Sequence, residues 1–177
     1  MTEFIHLHNH SHYSLLDGAS RVEGLVILGV EQRMPAVALT DHGVMFGAIE
    51  FYRKAIKAGI KPIVGMEAYI VTKGSRREKS TQETESGGKR SAYHHILLLA
   101  KDLAGYKNLL KLCTIGHTEG FYYKPRIDTE VLRIHREGIV ATSACAGGVV
   151  SAHLVAGREA EAYEAAEIYR DIFGDDF

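Results

Sequence analysis

The sequence predicts an α/β fold built on parallel strands, and three features carry that expectation. Short runs of β-type residues alternate with stretches of helical periodicity. Most of the ionisable residues with site chemistry stand where those short runs end, which is where parallel α/β folds build their sites. The chain's 177 residues, 46% hydrophobic and 24% charged, are enough to bury one sizeable core.

Taken in order, the first strand is expected at "FIHLH" and the first helix near 21–33. That helix has a start signal in Ser20-Arg21-Val22-Glu23, which fits a capping box in which serine and glutamate satisfy each other's free backbone N–H groups. "AVALT" follows as a strand, then a helix near 46–58 with Gly59 as its stop, then "KPIVGMEAYIV" as a strand. Residues 73–92 carry six Lys/Arg against three Glu and lack apolar periodicity; they are expected to form a mobile, solvated loop. "HHILLLAK" is the next strand, followed by a helix near 102–116, a strand at "GIVATSA", and helices near 147–156 and 158–173, with Gly174 as the last stop. These make about five strand–helix units, whereas a closed (β/α) barrel takes seven or eight over ~250 residues. The expectation is one domain, residues 1–177, that is the truncated N-terminal part of a larger protein.

Composition excludes several classes. No window approaches the ~18 uninterrupted apolar residues of a membrane span, and "MTEFIHLH" lacks a basic-then-apolar leader, so a cytoplasmic protein with no membrane partner is expected. A net charge of −1 gives no global attraction for phosphate polymers; nucleic-acid contact would rest on a local patch or on another part of the protein. Two cysteines make a disulfide framework improbable, and Cys113, in the apolar stripe "YKNLLKLCTIG", is expected in the core.

The chemistry collects at His8 and His10 after the first strand, Asp41 and His42 after "AVALT", Glu67 after "KPIVG", and Cys145 after "GIVATSA". The pair His94/His95 is the exception, standing at the start of its run. Positions two apart in an extended chain share a face, so the imidazoles of H-x-H converge. This mixture of nitrogen, oxygen and sulfur donors suits Zn²⁺, Mn²⁺ or Fe²⁺ better than Mg²⁺ or Ca²⁺. His6 is expected to be structural, pointing into the barrel interior. His117, His135 and His153 are expected at the surface or in packing, and Tyr13 and Ser14 in packing and turns. Gly147 and Gly148 fit either a plain strand-to-helix turn or a helix N-terminus that holds phosphate.

"HLHNHSHYSLLDG", "ALTDHG", "GIKPIVGMEAYI", "HHILLLAKDLAGYKNLLKL", "GFYYKPRID" and "SACAGG" together resemble the PHP (polymerase and histidinol phosphatase) domain, in the branch found at the N-terminus of bacterial DNA polymerase III alpha subunits. The resemblance implies a distorted (β/α)7 barrel, incomplete in this chain, that holds up to three divalent ions, zinc or manganese. Its motifs carry the ligand roles onto His8, His10, Asp17, His42, Glu67, His95 and Cys145, with His95 preferred to His94. The family's late "D.H" segment has no counterpart in this chain, so seven of nine ligands are expected.

The activity implied is metal-dependent phosphodiester hydrolysis by activated water, a 3′-to-5′ exonuclease role beside a polymerase acting on DNA. The rest of that polymerase chain and a proofreading exonuclease subunit are the implied partners. Alternatives are a catalytically silent module that supports the polymerase and docks the proofreading subunit, a histidinol-phosphate-type phosphatase, and an amidohydrolase. In the last case, T-D-H followed by G-x-E departs from the usual pattern.

Overall fold

The computed structural model describes residues 4–15, 17–79, 81–83, 89–91 and 93–177. The chain forms helix α1 (Val22–Glu31), strand β1 (Ala36–Leu39), helix α2 (Ala48–Ala58), and strands β2 (Lys61–Val71), β3 (Thr81–Glu83), β4 (Lys89–Ser91) and β5 (His94–Ala100). Helix α3 (Leu103–Thr118), strands β6 (Phe121–Tyr122) and β7 (Lys124–Asp128), helix α4 (Thr129–Ile134), strand β8 (Ile139–Thr142), and helices α5 (Val149–Val155) and α6 (Glu159–Phe173) follow. The α/β class is as expected. Among the described residues, β6–β7–β2–β5–β8 form an open sheet with β1 also paired to β2, while β3 and β4 make a separate hairpin.

The sheet is mixed, which corrects the expectation of parallel strands. β1 and β7 run parallel to β2, but β5 runs antiparallel to both β2 and β8. A parallel neighbour needs a crossover, usually a helix, and the described residues between β2 and β5 contain a two-stranded hairpin and no helix. The reversal explains the one histidine pair that stood at the wrong end of its run. The beginning of β5 lies beside the carboxyl half of β2, with His95 opposite Tyr69.

Strand alternation sorts the sheet into two faces. Met66, Ala68 and Ile70 of β2, Ile96 and Leu98 of β5, Ile127 of β7, and Ile139 and Ala141 of β8 form one buried cluster with Leu109 and Leu112 of α3 and Tyr169, Ile172 and Phe173 of α6. The intervening positions occupy the other face: Glu67 opposite Leu97, and Tyr69 between its cross-strand neighbours His95 and Arg126. A second cluster joins Val22 and Val26 of α1, Val37 and Leu39 of β1, and Phe51 and Ala55 of α2. Cys113 is half-buried against the main core, in line with its expected packing role. No helix among the described residues is long and apolar enough to cross a membrane.

Several local expectations are overturned. "FIHLH" is not a strand, although it lies along β1: Ala38 N–H donates to His6 O and Thr40 N–H to Asn9 O. The donors are two residues apart and the acceptors three, so one residue is extra and the ladder breaks; Asn9 Nδ2 fills the gap by donating to His6 O and Ala38 O. His6 is exposed, its ring edge-on to Phe4, rather than inside the barrel.

The Ser20/Glu23 capping box does not form. Arg21 is the N-cap without a side-chain cap, and Ser20 instead bridges to Ser11, its carbonyl accepting from His12 N–H. "GFYYKPRID" supplies two strands, β6 and β7, that hydrophobic period alone did not show.

The expected loop 73–92 contains the β3–β4 hairpin and, before it, a buried Arg76 at 4% exposure. Arg76 binds Asp128, Glu119 and Glu130 through its guanidinium, and its backbone N–H donates to Asp128 Oδ2. Residues 80, 84–88 and 92 of that segment lie outside the described residues.

Candidate metal centre

Glu67, at the middle of β2 and 1% exposed, is the hub of the site. Its Oε2 lies 2.9 Å from His8 Nε2, 2.9 Å from His10 Nε2 and 3.0 Å from His42 Nδ1. Its Oε1 lies 2.7 Å from His95 Nδ1 and accepts from the Cys145 thiol at 3.5 Å. Two sets of donor atoms are close enough to share an ion: His8, His10 and Glu67, and His42, Glu67 and His95. The glutamate belongs to both. Asp17 and Cys145 fall outside the two sets. Asp17 Oδ2 reaches only the far nitrogen of His42, at 2.9 Å, and Cys145 Sγ lies 3.9 Å from His95 Nδ1.

Each side chain is delivered by its own piece of backbone. Asp41 and His42 follow the end of β1, and the backbone there brackets Glu67: Glu67 N–H donates to Asp41 O, and Gly43 N–H to Glu67 O. Gly43 takes a left-handed turn (φ 64°) at a point where an added Cβ would meet Pro125 and Tyr69, so glycine is required on both counts. Ala144 is also left-handed (φ 62°), a strained position for a residue with a side chain, immediately before the Cys145 that lies beside Glu67. Gly147 and Gly148 lead from a turn into α5, with Gly148 as its N-cap: Gly147 O accepts from His95 N–H, and Gly148 N–H donates to Cys145 O.

Three residues outside the expected ligand set, Asp41, Ser11 and Ser14, hold the site in shape. Asp41, 2% exposed, accepts from Ser11 N–H at 2.6 Å and Ser14 Oγ at 2.8 Å through Oδ1, and from Ser11 Oγ at 2.8 Å through Oδ2. Ser14 Oγ in turn accepts from His42 N–H at 3.0 Å and lies 3.4 Å from His10 Nδ1. Because the Ser14 hydrogen goes to Asp41, Ser14 can only accept from His10. That places the His10 proton on Nδ1 and leaves the Nε2 lone pair facing Glu67. The sequence signal was the aspartate of T-D-H together with two serines that follow H-x-H, small hydrogen-bonding groups close in sequence to the ligands.

The donors fit a metal ion better than they fit one another. His8 Nε2, His42 Nδ1 and Glu67 Oε2 are buried atoms that make no aligned hydrogen bond despite separations of 2.9–3.0 Å. Buried polar atoms are seldom left so, and a cation placed in each set would satisfy all three. Burial pushes the Glu67 carboxyl upward, but the imidazoles of His10, His8 and His95 outweigh it and hold it well below the ordinary carboxylate range. Burial lowers His42, against the pull of Glu67, and so favours the neutral, ligating imidazole. Burial also opposes the charged form of His10, but there Glu67 prevails and raises it.

If Asp41 acts as this bracket, Asp41→Asn should weaken metal binding about 10–100-fold, the usual cost of losing a partner that orients a ligand. Competition with a chelator reads this directly; an unchanged affinity with unchanged circular dichroism would remove Asp41 from the role.

A family model described as "PHP domain" matches residues 6–177. Among curated proteins, the DNA polymerase III subunit alpha of Borreliella burgdorferi is 47% identical over 99% of this chain, and that of Aquifex aeolicus is 47% identical over 98%. The chain spans 15% of the length of each. Among solved structures, an amidohydrolase from Chromobacterium violaceum superposes on 61% of this chain and 32% of its own with a TM-score of 0.41 at 24% identity, a likeness too slight to bear on function.

Proposed function

The chain belongs to the PHP domain family, and on that premise we propose that it is the metal-dependent phosphoesterase module at the N-terminus of a bacterial DNA polymerase III alpha subunit. The observation that carries this is the single buried carboxylate common to two sets of donors: Glu67 belongs with His8 and His10 on one side and with His42 and His95 on the other. Such a shared carboxylate suits adjacent divalent ions. The imidazoles with a thiol beside them suit zinc, and the shared carboxylate accommodates manganese. Asp17 and Cys145 complete the proposed ligand set at its edges.

Bound ions would supply charge neutralisation at the phosphate and acidify water for attack, so no side-chain nucleophile is needed. The chain's own part is positional. Glu67 spans the two sets, Asp41 through Ser11 and Ser14 holds the His10 and His42 loops, and the buried ring of Tyr69 packs against His42 and His95. The activity proposed is 3′-to-5′ trimming of DNA, in the cytoplasm, as part of a chain whose remainder polymerises. Relatedness to replicative subunits over nearly the whole of this chain supports that context.

Metal analysis of the full-length protein should find zinc, manganese or iron, and a His8→Ala/His10→Ala variant should lose most of it. A metal-free unmodified protein would end the catalytic reading. Digestion of a 3′-labelled primer without release of phosphate from histidinol phosphate is the expected substrate pattern. The reverse would make it a small-molecule phosphatase, and metal binding without either activity would make it a scaffold that docks a proofreading subunit.

A further inference from the structure

Three cations come together where β7 meets the site, and two of them are buried and engaged by the protein itself, although Nη1 of Arg126 has no hydrogen-bond partner. The buried Arg76 binds Asp128, Glu119 and Glu130. Arg126, 1% exposed, gives its guanidinium to the carbonyls of Gly120, Arg76 and Glu78. Lys124 differs. It makes no ion pair with a carboxylate among the described residues, and its Nζ lies over the face of Tyr69, 5.2 Å from the ring centroid.

That ring borders the metal centre, stacked on His42 at 5.8 Å and edge-on to His95 at 5.3 Å. Pro125, next along the strand, packs where His42 turns into Gly43. One aromatic ring therefore separates an uncommitted cation from the ligand cluster.

The residue before it is equally unusual. Tyr123 is 73% exposed and left-handed (φ 60°), a conformation uncommon for a bulky residue. It is the turn that joins β6 to β7, and its exposed ring lies 4.7 Å from that of Tyr122. An exposed aromatic face beside a lysine is the combination that holds single-stranded nucleic acid, the ring stacking on a base and the amine meeting a phosphate.

Resting on the phosphoesterase reading above, we propose that Lys124 and Tyr123 hold the end of a single-stranded nucleic acid at the mouth of the metal centre, Lys124 on the phosphate nearest the ions and Tyr123 against a base. This deepens that reading by assigning substrate-binding residues outside the ligand set. It also gives the site a reason to prefer a polynucleotide end over a small phosphate ester, which has no base to stack.

The test uses the full-length, metal-loaded protein and the variants Lys124→Gln and Tyr123→Ala, with metal content measured in each and expected to be unchanged. Tyr123→Ala should raise KM for hydrolysis of a single-stranded oligonucleotide roughly 5- to 150-fold and leave bis(p-nitrophenyl) phosphate unaffected. Lys124→Gln should raise KM for both substrates with kcat nearly constant, and should reduce the salt dependence of log KM for the oligonucleotide by about 0.7, the amount for one lost phosphate contact on a single strand. Unchanged KM and salt slope in both variants would overturn the proposal.

If the unmodified protein hydrolyses neither substrate, the phosphoesterase reading fails, and the hairpin is then judged by photocrosslinking an iodouracil-containing oligonucleotide to it. Crosslinks at Tyr123 would sustain nucleic-acid binding there. Crosslinks only elsewhere would assign the exposed hairpin to a protein contact and overturn the proposal.

Discussion

Glu67→Gln is expected to abolish metal binding at both halves of the site at once, a larger loss than any other single ligand change. Glutamine keeps the shape but removes the charge, and it replaces one oxygen with an N–H₂ that has no lone pair for a cation. Each oxygen of Glu67 now faces its own imidazoles, Oε2 toward His8, His10 and His42 and Oε1 toward His95, so neither orientation of the amide spares both halves.

The consequence is measurable as lost stabilisation. A metal at 100 times its Kd stabilises a protein by about 2.7 kcal/mol. That corresponds to roughly 5–11 °C in Tm at about 2–4 °C per kcal/mol. The unmodified protein should show such a rise on adding zinc or manganese, and Glu67→Gln should show none. Asp17→Asn is the contrasting case. Its carboxylate is 57% exposed and reaches only the far nitrogen of His42, so most of the rise should survive. Equal Tm shifts in Glu67→Gln and the unmodified protein would remove the glutamate from the metal site.

Arg76→Met should cost about 3–5 kcal/mol of stability, because it leaves Asp128 buried at 3% exposure with its cation gone. Asp128 holds more than a salt bridge. It accepts from Arg76 N–H and caps α4 by accepting from Val131 N–H, so an uncompensated charge there strains two connections. Asp128→Asn combined with Arg76→Met should recover part of the loss, since the buried charge goes and the cap acceptor stays.

The pH dependence follows from Glu119, whose carboxyl is held below its ordinary value of 4.5 chiefly by the hydrogen bond from Arg76. A depressed folded-state value adds stability above the unfolded pKa that disappears as pH falls through the folded one. The gap between unmodified and Arg76→Met proteins should therefore narrow below about pH 4.5. Urea titration at several pH values reads both effects; a variant within 1 kcal/mol of the unmodified protein at neutral pH would show Arg76 to be dispensable. The exposed Glu130 partner is expected to contribute little.

The centre of the site was legible in the sequence because ligand chemistry is local. H-x-H on an extended segment, T-D-H after an apolar run and a lone glutamate inside "KPIVGMEAYIV" are each polar groups where a core strand has no use for them. Legibility stopped where long-range geometry began. Asp41 stands beside His42 in the sequence, yet its carboxylate serves residues 27 and 30 positions earlier, Ser14 and Ser11. Arg76 sat in a stretch too polar to suggest burial, because its three carboxylate partners lie 43–54 positions later.

By itself the sequence determined the helices other than the six-residue α4 and the longer apolar strands, through hydrophobic period, and the identity of the donor residues. The direction of β5 was decided only by the tertiary structure, since "HHILLLAK" reads alike in either sense and a strand's orientation depends on the connection that precedes it. That reversal brings His95 to Glu67. The same is true of the break in "FIHLH", where a one-residue mismatch against β1 replaced the expected strand, and of the committed and uncommitted cations around β7. Which of Arg76, Arg126 and Lys124 keeps its charge available depends on which acceptors the fold brings within reach, a property of three-dimensional proximity that no local pattern encodes.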